Sequence, residues 1–85
     1  MIHKSVVEKY DGTMKELADD IGDLKYNALA EFLELLAAKI EFDGTKDEAR
    51  GRVKLSENLF SAAKSLKDSQ LAIEKAWVIC APYTK

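Results

Sequence analysis

Residues 24–42, LKYNALAEFLELLAAKIEF, decide the fold. They contain no Gly, Pro, Val or Thr, so nothing in the stretch opposes a helix. At about 100° per residue, Leu29, Leu33, Leu36 and Ile40 share one narrow stripe, with Phe32 beside it. Leu24, Ala28 and Leu35 widen the apolar sector to roughly 220°, interrupted by Lys25 and Lys39. A helix lying on one partner needs only about 100° of apolar face. This helix is therefore expected to be covered from at least two sides.

The rest of the chain supplies the cover. His3, Val7, Tyr10, Met14, Leu17 and Ile21 recur at alternating steps of four and three, a heptad-like seam for a first helix over about 3–21. Asp11-Gly12-Thr13 is a turn signal, and Thr13-x-x-Glu16 is a capping box. The seam keeps its register through Gly12, which favours a continuous, bent helix. Gly22 is placed for a helix C-terminus and Asp23 for the next N-cap, a tight entry into a second helix over 24–41.

Phe42-Asp43-Gly44-Thr45 reads as the end of that helix. Thr45-x-x-Glu48 is a second capping box, opening a third helix over about 46–67 with Gly51 as a weak point. Asp68-Ser69 can cap a short fourth helix over about 70–80, and Pro82 stops it. A continuous helix from 46 to 80 would be about 52 Å long, against about 27 Å offered by the second helix, which favours a break near 68. The expected fold is all-α: one domain over 1–85, an antiparallel bundle of three long helices plus a short C-terminal one. The phrase aromatic-Asp-Gly-Thr-x-x-Glu occurs twice, at 10–16 and 42–48. Reuse of turn chemistry explains it better than duplication, because flanking residues do not align.

At 85 residues the chain is marginal as a monomer. Cys80 is the only cysteine and His3 the only histidine, so no intrachain disulfide and no Cys/His zinc site can help. Packing or oligomerisation remains. A lone cysteine and the absence of an export pattern fit a cytoplasmic protein. The longest apolar run, Ala76–Ala81, is six residues against the ~20 of a membrane span, so no membrane partner is expected. Charge is uneven: residues 1–43 carry five Lys and ten acids, and residues 44–85 carry eight Lys or Arg and five acids. These halves, −5 and +3, recover the net −2. A pI near 5.4 does not suit a strongly basic nucleic-acid binder.

Two chemistries have candidate residues. Glu16/Asp19, Asp20/Asp23 and Glu31/Glu34 are acid pairs at i, i+3, able to hold Mg²⁺ if two pairs face each other. In this they are similar to the all-α nucleotide pyrophosphohydrolases of the MazG type, whose order and spacing they do not follow. That resemblance implies a Mg-dependent nucleotide hydrolase. Leu17, Ala18, Gly22 and Ala28 resemble helix–turn–helix spacing over residues 14–34. Carried over, Lys25, Tyr26 and Asn27 would face base edges, and a row of Lys46, Arg50 and Lys54 would hold phosphates. Five acids at 19–34 crowd that surface, so DNA binding is not the preferred reading. His3 has no nucleophile placed with it, and Cys80 reads as a small apolar residue.

The remaining signal is apolar. In Leu71–Ala81 only Glu74 and Lys75 are charged, and Trp77 belongs to the residue types enriched in interface hot spots. The expected function is a small non-catalytic interaction or assembly module, a homodimer or the binder of a protein partner, without cofactor, metal or catalytic residues. Leu24, Ala28, Leu35, Leu71, Trp77 and Val78 are its expected contact residues.

Overall fold

A computed structural model describes residues 3–83. Three α-helices follow one another: α1 (Met14–Gly22), α2 (Tyr26–Ala49) and α3 (Val53–Cys80), with one 3₁₀ turn at Ala81–Tyr83. The described residues contain no strand. α2 and α3 pack together along their lengths. Their contacts run in opposite senses: Gly44 lies against Phe60, Glu41 takes a hydrogen bond from Lys67 at 2.6 Å, and Glu34 approaches Gln70 at 3.5 Å. The pair is an antiparallel hairpin.

α2 does not end at Phe42, as the turn residues there suggest, but runs on to Ala49. Gly44 is the reason. It is buried, and a Cβ added to it would stand 2.8 Å from the Phe60 ring and 3.3 Å from Leu59 Cβ. Gly44 serves a close helix contact, and Thr45 caps nothing. Its hydroxyl donates back to the Glu41 carbonyl at 3.1 Å, the usual bond of a threonine inside a helix.

From Val53 on, the expected helices at 46–67 and 70–80 are one helix, α3, while residues 46–49 belong to α2. Asp68 and Ser69 do not interrupt it: Asp68 pairs with Lys64 at 3.0 Å, and Ser69 Oγ donates to the Ser65 carbonyl at 3.0 Å. The length objection dissolves because α2 is longer than expected. At 1.5 Å per residue, α2 spans about 36 Å and α3 about 42 Å.

The true turn is at 50–52. Gly51 has φ +78, the only positive φ among the described residues. Its N–H bonds to Glu48 O at 3.0 Å and that of Arg52 to Asp47 O at 2.9 Å, a Schellman closure of α2. Gly51 is thus the stop signal between two helices. The Arg52 guanidinium clasps Asp47 across the turn at 3.3 Å.

The first helix is shorter than its seam implies. Residues 3–13 are not helical, and α1 begins at the capping box. Thr13 Oγ1 accepts from Glu16 N at 3.1 Å, and Glu16 Oε1 accepts from Thr13 N at 2.9 Å. These bonds hold the Glu16 carboxyl below its ordinary range. Tyr10 folds over Gly12, where a Cβ would meet its ring at 2.5 Å, and its hydroxyl donates to Asp20 at 2.5 Å. That bond raises the Tyr10 pKa. Gly22 is the last residue of α1 and Asp23 its C-cap; α2 starts after Lys25 without a side-chain cap.

The hairpin seam is made of small residues. Ala30, Ala37 and Gly44 on α2, and Ser56 and Ala63 on α3, are the buried positions, each seven from the next on its helix. Ser56 satisfies its hydroxyl on the Val53 carbonyl at 2.8 Å. Leu29, Leu33, Leu36 and Ile40 flank this line and stay half-buried. Among the described residues no Leu, Ile, Val, Phe, Trp or Met is fully buried.

Candidate interaction surface

Small seam residues let two helices approach closely, but they bury little apolar area of their own. The large side chains are displaced to the flanks, where they are half-buried or exposed. The chain exposes 6,774 Å², whereas a monomer of 9.5 kDa is expected to expose about 5,000 Å². Its radius of gyration is 15.3 Å, against about 12 Å for a typical domain of this length. The molecule measures 49 × 30 × 14 Å, and its thinnest dimension is close to the width of one helix.

The expected contact residues fall into different places. Leu24 sits in the α1–α2 linker and shares a cleft of about 300 Å³ with Tyr26, Trp77 and Cys80, at the open end of the hairpin. Trp77 and Ala28 are half-buried. Leu71 and Val78, seven residues apart, lie along one side of α3, with Val78 74% exposed. Leu35 is 61% exposed and, with Phe42 seven residues on, forms an outer stripe of α2. The structure brings Leu24 and Trp77 together and leaves Leu35 apart from Leu71 and Val78.

Several exposed apolar residues escaped the sequence reading: Ile79 (73% exposed), Phe42, Val53 and Leu55. Phe42 and Val53 were legible only with the correct helix ends. Ile79 was hidden inside an apolar run that reads equally as core.

The turn end carries a second feature. His3, Lys46, Arg50 and Arg52 line a cleft of about 220 Å³ together with Asp43 and Asp47. Lys46 lies in the last turn of α2, Arg50 is its C-cap and Lys54 is in the first turn of α3, so the expected three-residue row does not lie on one helix. Asp47 is taken by Arg52, and Asp43 by Lys39, whose hydrogen bond holds the Asp43 carboxyl below its ordinary range. The other Asp43 oxygen is buried without a hydrogen-bond partner among the described residues. Lys46 stands 5.4 Å from the Phe42 ring centre. These cations lie at the carboxyl end of α2, where positive charge offsets the helix dipole. That role accounts for them without a ligand.

The acid pairs do not converge. Among the described residues no three His, Cys, Asp or Glu side chains form a metal-holding group. Glu31 and Glu34 are exposed, and Asp20 is engaged by Tyr10. α2, which would be the recognition helix of a helix–turn–helix, is packed along its length on α3. Among the described residues no helix is long and apolar enough to cross a membrane.

Comparison with known proteins adds no relative. No family model fits the chain, and neither a curated protein nor a solved structure matches it.

Proposed function

We propose that this chain is a non-catalytic association module that works as a homodimer in the cytoplasm. One observation carries the reading: a hairpin whose buried residues are Ala, Gly and Ser leaves its large apolar side chains half-buried or exposed. The excess surface, about 1,700 Å² over the expected monomer, is about twice what each partner gives up in an ordinary stable interface. Leu24, Leu35, Leu71 and Val78 are among the large apolar residues left exposed. Contiguous exposed apolar surface marks protein contacts.

Sedimentation equilibrium of the full chain at micromolar concentration tests the reading. The expected mass is twice 9.5 kDa. A single 9.5 kDa species up to 0.1 mM, roughly the weak end of specific association, would overturn it.

A further inference from the structure

We infer that the second copy docks on one flank of α3, with the two α3 helices antiparallel and crossing near residue 67. The inference rests on the homodimer reading above and specifies its geometry.

The two flanks of α3 differ in charge. The Lys67–Glu41 pair marks one flank, which also carries Glu57, Lys64 and Glu74. The opposite flank of α3 consists of the residues one before and two after each seam position 56, 63, 70 and 77. Those eight positions, from Leu55 to Ile79, hold no charged residue over about 36 Å of helix. Leu55 is 46% exposed and Ile79 73%, and Ala62, Ser65, Ser69 and Ala72 between them are exposed. On α2 this flank is bordered by half-exposed Phe32 and, at the turn end, by Asp43, Lys46 and Arg50, which share a cleft with Leu55.

This face fits a copy of itself. Laid antiparallel about residue 67, Leu55 of one chain meets Ile79 of the other. Ala62 meets Ala72, and Ser65 meets Ser69. Large residues close both ends, and small ones allow close approach at the crossing. A two-fold contact requires such self-matching. Asp68, at the rim beside the two-fold axis, is already balanced by Lys64 at 3.0 Å.

Charge selects the same orientation. The open half of the hairpin (14–36 with 68–83) carries three cations and eight acids, net −5. The turn half (37–67) carries seven cations and five acids, net +2. Antiparallel pairing places each open half over a turn half, whereas parallel pairing would stack two acidic ends. Opposed charge orients partners and suppresses the wrong register.

Two variants and one distance measurement decide the matter. Ala62→Glu/Ala72→Glu puts charge on exposed positions of this face, and Ala38→Glu puts it on the Lys67–Glu41 flank, at an exposed position of α2. Expected is loss of dimer, with mass falling to 9.5 kDa, for the first, and unchanged mass for the second, both keeping wild-type helical circular dichroism. Spin labels on Asp68→Cys or Lys54→Cys, in a Cys80→Ser background, report orientation. The antiparallel pair puts the residue 68 positions about 10 Å apart and the residue 54 positions about 40 Å apart. Short distances at both sites, or a dimer that survives Ala62→Glu/Ala72→Glu, would overturn this geometry while leaving the homodimer intact. A monomeric wild type would remove both.

Discussion

The chain uses the phrase aromatic-Asp-Gly-Thr-x-x-Glu twice, and the two copies do opposite things. At 10–16 the threonine and glutamate close a capping box and start α1. At 42–48 the same residues lie inside α2, with the glycine under Phe60 and the threonine bonded to Glu41. Local chemistry is the same in both, so the difference is tertiary. Residues 42–48 lie where α2 and α3 meet, and continuing the helix there buries Gly44 and keeps the seam unbroken. Residues 10–16 have the half-buried Tyr10 ring rather than a second long helix to pack on, so the turn signal prevails. A capping box is worth about 1 kcal/mol, and a packed helical turn outweighs it.

The contrast breaks first at its glycines. Gly44→Leu drives a side chain into the Phe60 ring, 2.8 Å from the added Cβ, and is expected to cost about 1–3 kcal/mol in denaturant unfolding. Gly12→Ala meets only the half-buried Tyr10 ring, which lies outside the α2–α3 hairpin, so the hairpin should keep its stability to within about 0.5 kcal/mol. Equal losses from both variants would show that the two copies have equivalent roles. Gly51→Ala comes next. Its φ of +78 strains any other residue, and a loss of about 1–2 kcal/mol is expected, although open space surrounds the site.

The threonines give a smaller contrast of opposite sign. Thr13→Ala removes a true cap and should weaken α1 by about 1 kcal/mol, visible as faster amide exchange over Lys15–Leu17. Thr45→Ala replaces a mid-helix threonine by a better helix former and should be neutral or gain up to about 0.7 kcal/mol. The smallest effect is in pH. Glu16 has a folded pKa below its unfolded value, so its contribution is present above the unfolded value and is lost as pH falls through the folded one. NMR at acid pH should show the α1 N-terminus fraying below about pH 4, with no matching change at Thr45–Glu48.

The helical class and the strongest helix were legible from residues 24–42, because propensity and spacing agree there. The cap at Thr13 was legible too, but the heptad-like seam from His3 to Ile21 argued against it. That seam fails because no element covers it in a way that repays ordering residues 3–13. The α2–α3 seam was harder to see. Ala30, Ala37 and Gly44, like Ser56 and Ala63, repeat every seven residues, yet small side chains carry little weight in a hydrophobic pattern. The leucines beside them dominate the reading and mark the flanks. Missing that repeat displaced the turn from Gly51 to Gly44 and split α3. Of the residues expected to make contacts, Leu35, Leu71 and Val78 are exposed. Ile79 and Leu55 required the hairpin register, which depends on contacts some 16 to 36 residues apart in sequence.

If the hairpin depends on a second copy for its apolar cover, folding and association are one equilibrium. The most direct test is the thermal midpoint of the full chain at two concentrations a hundredfold apart. Mass action should raise the midpoint at the higher concentration, because the dimer binds only folded chains. A midpoint independent of concentration, with a 9.5 kDa species on both samples, would contradict it and leave the hairpin stable by its small-residue seam alone.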